Sequence, residues 1–246
     1  MLVTIKTTVA AMAIALAATS AIAQDKRIMV FGDSNSWGWM PQEVIIPTTR
    51  YDSATRWPGV MAAALGDGYE IVEESLSART AATDDPSLGI AGAGLNGLDY
   101  LPAALATHMP LDLVIIMLGT NDVKAGFDQT PLDISLDILQ LASEVRKSSG
   151  VATSYPPAKV LIVAPPPLGQ IADVDWLQAV FTSDSVEKTK SLAGVLGPLV
   201  QAAGFDFIDA GTFAKIDGVD GVHMSVEQHT EVGKAVTAKV LEVFAK

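Results

Sequence analysis

Three short polar stretches hold the residue types from which acyl-transfer chemistry is built. FGDSNSWGW (31–39) places Ser34 directly after an apolar run and a Gly-Asp pair; GTND (119–122) and DGVDGVH (217–223) are the other two. A serine hydroxyl is a weak nucleophile until a base takes its proton, and histidine is the usual base because its pKa lies near working pH. The chain has only three histidines, His108, His223 and His229. His108 sits near the end of a helical run before Met-Pro, and His229 falls inside the last helical pattern. His223 lies just ahead of a helix start, where a base could reach a crevice. Asp220, across a Gly-Val turn, is spaced so that a carboxylate holds one ring nitrogen while the other faces the serine. Asp217 is a competing orienter. Donors for the oxyanion are the backbone N–H of Ser34, the amide of Asn121 and a backbone N–H in SLSART (75–80). Each stretch also reads as an ordinary turn or cap. Asp217, Asp220 and His223 could hold a metal, but no further His or carboxylate cluster accompanies them. The expectation is a site without metal or cofactor.

The elements that would bring these stretches together are legible as periodic apolar runs. RIMVF (27–31), YEIV (69–72), LDLVIIML (111–118), KVLIVA (159–164) and FDFID (205–209) have strand length, and the middle ones are continuous, as in strands buried on both faces. Helical patterns alternate with them. WPGVMAAALGDG stops at Gly66. A second helix opens with Thr130 as N-cap, Pro131 and Asp133, and closes with Arg146, Lys147 and Gly150. A third, 185–204, is interrupted by Gly194, Gly197 and Pro198, and a fourth begins with Ser225 and Gln228 at capping-box spacing. Strands alternating with helices predict one α/β domain, 24–246, with a parallel sheet covered on both faces. Residues 74–96 and 165–183 read as long loops. Ligands bind beyond the carboxyl ends of such strands. With strand order 2-1-3-4-5, Ser34, Asn121 and the Asp220–His223 stretch all fall around one crevice.

Bulk properties narrow the partners. The formal charge is −12, with 16 scattered basic residues, which argues against nucleic acid and against an anionic membrane surface. The absence of cysteine excludes thiol nucleophiles, thiolate metal sites and disulfides. Residues 1–23 have one Lys, an apolar run and Ala-Ile-Ala before Gln24, the layout of a secretory signal peptide cleaved after Ala23. The apolar run is shorter than the ~20 residues of a spanning helix. The expectation is a periplasmic or secreted protein with no membrane attachment after cleavage.

FGDSNSWG, ESLSART, GTND and DGVDGVH, in that order, resemble the four blocks of the SGNH (GDSL-type) serine hydrolases. The long stretches HMPLDLVIIMLGTNDVKAGFDQTPLDI, YPPAKVLIVAPPPL and DAGTFAKIDGVDGVH resemble its arylesterase/acyltransferase branch, which includes a mycobacterial acyltransferase with perhydrolase activity. The resemblance runs from Arg27 over nearly all the remaining chain. It implies a flavodoxin-like three-layer α/β/α sandwich with a five-stranded parallel sheet. It implies Ser34 as nucleophile, His223 as base and Asp220 as orienter, with the Ser34 and Ala78 N–H groups and the Asn121 side chain as oxyanion hole. Asn35 stands where the GDSL name has Leu. Ser75-Leu76-Ser77-Ala78 stands where the family more usually has Gly-Ile-Ser-Gly, so any position there that needs positive φ must accept a Cβ. Trp37, Trp39, Trp176, Leu177, Phe181 and Val222 are the candidate apolar lining of the substrate pocket. The implied activity is hydrolysis of small acyl or aryl esters, with acyl transfer to alcohols or peroxide as an extension. Homo-oligomeric assembly is implied as well. A carbohydrate acetylesterase is the alternative, and an exported binding protein with an inactive site is the reading from another class.

Overall fold

The computed structural model describes residues 25–43, 46–85, 94–149 and 153–246. The expected signal segment and Gly150 lie outside the described residues. Five strands, β1 (Lys26–Gly32), β2 (Tyr69–Glu73), β3 (Leu113–Met117), β4 (Lys159–Ala164) and β5 (Asp206–Asp209), form one parallel sheet in the order β2-β1-β3-β4-β5. This is the expected order. It pairs β1 directly with β3, with Gly32 opposite Met117, so the chain segments leading to Ser34 and Asn121 leave the same sheet end side by side.

Seven helices are described: α1 (Ser34–Trp37), α2 (Trp57–Leu65), α3 (Gly97–His108), α4 (Pro131–Lys147), α5 (Asp175–Val180), α6 (Ser183–Ala202) and α7 (Val226–Ala245). Strand side chains alternate between faces. Val30, Ile115 and Val163 pack with Trp57 and Met61 of α2 and Val236 of α7. Phe31, Ile116 and Ile162 pack with Leu101 of α3, Ile138 of α4 and Leu196 of α6. Burying both faces explains why the central strands are uninterrupted apolar runs.

Two helical segments differ from expectation. α6 runs unbroken through Gly194, Gly197 and Pro198. A reciprocal cap between Thr182 and Ser185 starts it, and Gly197 is where it meets β5: a Cβ there would lie 2.8 Å from Cε1 of Phe207. Tertiary packing therefore outweighs the local cost of Gly and Pro, ~1 and ~3 kcal/mol in a helix interior. The stretch 165–183 is not all loop, because α5 forms within it. At the expected box opening α7, only half forms. Ser225 accepts the Gln228 N–H, while the Gln228 side chain accepts from Lys215 N instead.

Candidate active site

The sharp turn after β1 is fixed by Asp33. Its Oδ1 accepts the Asn35 N–H at 2.9 Å and caps the one-turn α1. Ser34 occupies the first helical position, where a backbone N–H has no intrahelical acceptor. Gly38, at φ 93°, then turns the chain out of the helix.

The loop before α7 brings His223 to this serine. Gly221 N donates to Gly218 O at 2.9 Å, and Gly218 N to His223 O at 2.9 Å. Gly221 has φ 75°, and a Cβ there would lie 2.1 Å from the Gln170 carbonyl oxygen. Within the turn, Asp220 Oδ1 accepts the N–H groups of Val222 and His223 at 2.8 and 2.9 Å. This frees Oδ2 to meet His223 Nδ1 at 2.7 Å, and His223 Nε2 lies 2.9 Å from Ser34 Oγ. An ionised carboxylate only accepts, so it places the imidazole proton on Nδ1 and leaves Nε2 to accept from the serine hydroxyl. Burial pushes the Asp220 carboxyl up. The His223 hydrogen bond and charge, with the two backbone N–H groups, outweigh burial and hold it below the ordinary carboxylate range. Asp217, the competing orienter, turns the other way: its two oxygens accept from Ser225 N and Oγ at 3.0 Å.

Two further residues hold His223. Asn35 Nδ2 donates to Val222 O at 3.1 Å and its Oδ1 accepts from Met224 N at 3.1 Å, gripping the backbone on both sides of His223. Where the GDSL name has Leu, this chain has an amide that ties the serine turn to the histidine loop. Trp39 lays its indole on the imidazole, with ring centroids 4.9 Å apart and planes 11° from parallel.

The oxyanion-hole candidates are joined by the GTND turn. Asn121 Nδ2 donates to Arg79 O at 3.1 Å, and Asp122 Oδ1 accepts from Ala81 N at 2.7 Å. Arg79 is buried, its guanidinium 4.1 Å from the Phe31 ring centroid, and it donates to Gly32 O and Glu74 O. Between these anchors Ala78 adopts φ 68°. The left-handed residue of the stretch is thus Ala78, not Ser75, and the chain carries the ~1–2 kcal/mol that a Cβ costs there. Ser34, Ala78 and Asn121 line one cavity with His223.

That cavity has a volume of about 910 Å³. Trp39, Trp176, Leu177, Phe181 and Val222 line it, as the sequence suggested. Trp37 does not: its ring faces the Arg50 guanidinium at 5.1 Å, because the left-handed Gly38 sends Trp37 and Trp39 in different directions. Sequence reasoning missed Ile46, Phe127 and Val180, and a polar group of Thr83, Asp84, Asp85 and Lys124. Val180 ends the short α5 and Phe127 a 3-10 turn, and the others sit on irregular loops, where no periodicity marks which way a side chain points. The other histidines stay away. His108 Nε2 meets Glu74 Oε1 at 2.6 Å, and His229 is buried behind Trp57, whose backbone N–H approaches its Nδ1 at 3.4 Å.

A family model described as GDSL-like lipase/acylhydrolase matches residues 30–230. The chain belongs to that family. Among solved structures, this GDSL hydrolase is 47% identical to an aryl esterase of M. smegmatis, with a TM-score of 0.84 over 88% of this chain and 99% of that one. It is 46% identical to Est24, a carbohydrate acetylesterase of Sinorhizobium meliloti, with a TM-score of 0.85 over 89% and 100% of the two chains. A second carbohydrate acetylesterase family member from the same organism is 31% identical, with a TM-score of 0.80 over 90% and 100%. No curated protein matches in sequence. Membership makes the chain a carboxylic ester hydrolase of the SGNH fold.

Proposed function

We propose that the protein is a serine esterase for small acyl and aryl esters. Ser34 Oγ attacks the ester carbonyl while His223 Nε2 takes its proton. The oxyanion is met by the Ser34 and Ala78 N–H groups and by the Asn121 Nδ2 proton not given to Arg79. His223 returns its proton to the leaving alcohol as the acyl-enzyme forms. Water, deprotonated by the same imidazole, then releases the acid. Asp220 holds the tautomer throughout. The observation that carries this reading is the continuous relay from Asp220 Oδ2 through both ring nitrogens to Ser34 Oγ, with contacts of 2.7 and 2.9 Å. Phenyl acetate turnover by wild type and Ser34→Ala tests it: the variant retains only background hydrolysis, and a variant within tenfold of wild type refutes the role of Ser34.

The apolar lining around Trp39, Trp176, Phe181 and Val222 favours an alcohol over water as acyl acceptor. Transfer is therefore part of the proposal. Product partition between water and a short alcohol measures it, and hydrolysis alone removes it. The likeness to Est24 supports a second reading, a carbohydrate acetylesterase. Turnover of acetylated xylan above that of aryl acetate favours it. The signal-like segment supports export with cleavage after Ala23. N-terminal sequencing of the processed protein tests this: a first residue of Gln24 is expected, and an uncleaved chain contradicts it.

A further inference from the structure

The Ala78 donor sits in a turn that its own side chain disfavours. Arg79 N donates to Leu76 O at 3.1 Å, closing a four-residue turn with Ala78, at φ 68°, in third position. Positive φ at that position is the mark of a type II turn, where glycine is usual. A type I turn joins the same ends and gives Ala78 a negative φ, but it flips the Ser77–Ala78 peptide and turns the Ala78 N–H away from the cavity. A buried cation lies on the other side. The Arg79 side chain, 2% exposed, runs back to the end of β1, where one terminal nitrogen donates to Gly32 O at 3.4 Å and to Glu74 O. Its Cζ lies 4.1 and 5.1 Å from the ring centroids of Phe31 and Tyr100. These acceptors are carbonyls and ring faces. The Glu74 carboxylate is engaged by Tyr100 Oη at 3.0 Å and His108 Nε2 at 2.6 Å, and Arg79 Nε is buried without a hydrogen-bond partner. Burial lowers the guanidinium pKa to about 10, so it is charged at neutral pH. A buried cation held by carbonyls alone costs stability that an apolar side chain of similar length does not. Arg79 also touches every segment that carries an oxyanion donor: Gly32 leads into Ser34, Ala78 is its neighbour, and Asn121 Nδ2 donates to its carbonyl at 3.1 Å.

We propose that Arg79 is a positioning residue for the oxyanion hole: its buried guanidinium holds the Ser77–Ala78 peptide with the N–H toward the cavity and the carbonyl toward the interior. The inference rests on the esterase reading and deepens it. A flip would bring the N–H, the positive end of the peptide dipole, to the interior side where the cation sits, and would send the carbonyl into the cavity where the oxyanion forms. The charge thereby offsets the preference of Ala78 for negative φ, a preference that glycine lacks.

The test reads kcat and KM for phenyl acetate in a set of variants, with circular dichroism melts to confirm folding. Arg79→Met lowers kcat about a hundredfold, the lower end of the range for one lost oxyanion donor, and leaves KM within about threefold. Arg79→Lys keeps the charge and retains at least tenfold more kcat than Arg79→Met. Adding Ala78→Gly to Arg79→Met recovers about five- to thirtyfold in kcat, the rate equivalent of the left-handed penalty of a Cβ, and this gain is several times larger than the one Ala78→Gly makes in the wild-type background. Where Arg79→Met does not fold, Arg79→Gln, neutral but able to donate to Glu74 O, takes its place in the same comparisons. A neutral variant with kcat within threefold of wild type overturns the proposal. So does Arg79→Lys as slow as the neutral variant, or an equal gain from Ala78→Gly in both backgrounds, either of which marks Arg79 as a support of the fold alone. If wild type itself turns over no ester, the esterase reading fails and the positioning role with it.

Discussion

Replacing Asp220 by Asn probes the tautomer argument without emptying the site. Asp220 Oδ1 accepts two backbone N–H groups, from Val222 and His223, so the amide oxygen of the Asp220→Asn variant stays on that side. Its NH₂ then points at His223 Nδ1, where Oδ2 stood 2.7 Å away. A donor there makes Nδ1 an acceptor and moves the ring proton to Nε2, facing a serine that must itself give up a proton. The wrong tautomer of a histidine that deprotonates a nucleophilic serine costs about ten-thousandfold in kcat, or ~5.5 kcal/mol of transition-state stabilisation. The fold loses one charge-assisted hydrogen bond, ~1.5–3 kcal/mol, a few degrees in Tm. The assay is phenyl acetate hydrolysis with circular dichroism melts of both proteins. Asp217→Asn is the control, because Asp217 accepts hydrogen bonds from Ser225 at the start of α7; its rate stays within about threefold of wild type while the weakened contact costs ~1 kcal/mol. Asp220→Asn within tenfold of wild type, or Asp217→Asn as the slower of the two, refutes the reasoning.

Three other perturbations follow from the same geometry. Asn35→Leu leaves Val222 O and Met224 N unpaired beside the base, so it lowers stability by ~2–5 kcal/mol in a denaturant titration and lowers kcat more than it raises KM; an unchanged kcat contradicts the grip. Trp39→Leu removes the aromatic face on which the imidazolium forms during attack. It lowers kcat about two- to thirtyfold with Trp39→Phe close to wild type, and equal loss in both variants points to pocket shape instead. Burial raises the carboxyl of Asp122 to about 7 and that of Asp33 to about 6, from 3.8. Between pH 4 and about 7 the folded chain therefore keeps protons that the unfolded chain releases, and these two groups make stability fall as pH rises. His229, pushed down to about 4 by burial, acts in the opposite sense between pH 4 and 6.5. Asp122→Asn removes the largest falling contribution, so its stability relative to wild type improves from pH 5 to pH 8; a relative loss over that interval refutes the assignment.

The sheet order was legible because continuous apolar runs alternating with helices admit few packings, and strand ends locate the crevice. Block spacing pointed to Ser34, Asn121 and His223, which the fold gathers on one cavity. Spacing alone left Asp217 and Asp220 both open, and only the family resemblance favoured Asp220. The choice depends on a turn whose Gly221 has φ 75° and which aims one carboxylate at the ring and the other at Ser225. Trp37 misled because two aromatics of one short stretch look alike until Gly38 separates their directions. The break expected at Gly197 and Pro198 failed for a tertiary reason, the close approach of Phe207. Lys124 and Asp85 stand 39 positions apart on loops, so only folding shows that they meet.

The most direct test of Ser34 as nucleophile is covalent. Wild type, Ser34→Ala and His223→Ala are incubated with a fluorophosphonate probe, and the labelled residue is mapped by peptide mass spectrometry. One adduct is expected, on Ser34, formed rapidly in wild type, absent in Ser34→Ala and slowed by orders of magnitude in His223→Ala. An adduct on another residue, or equal labelling without His223, contradicts the relay.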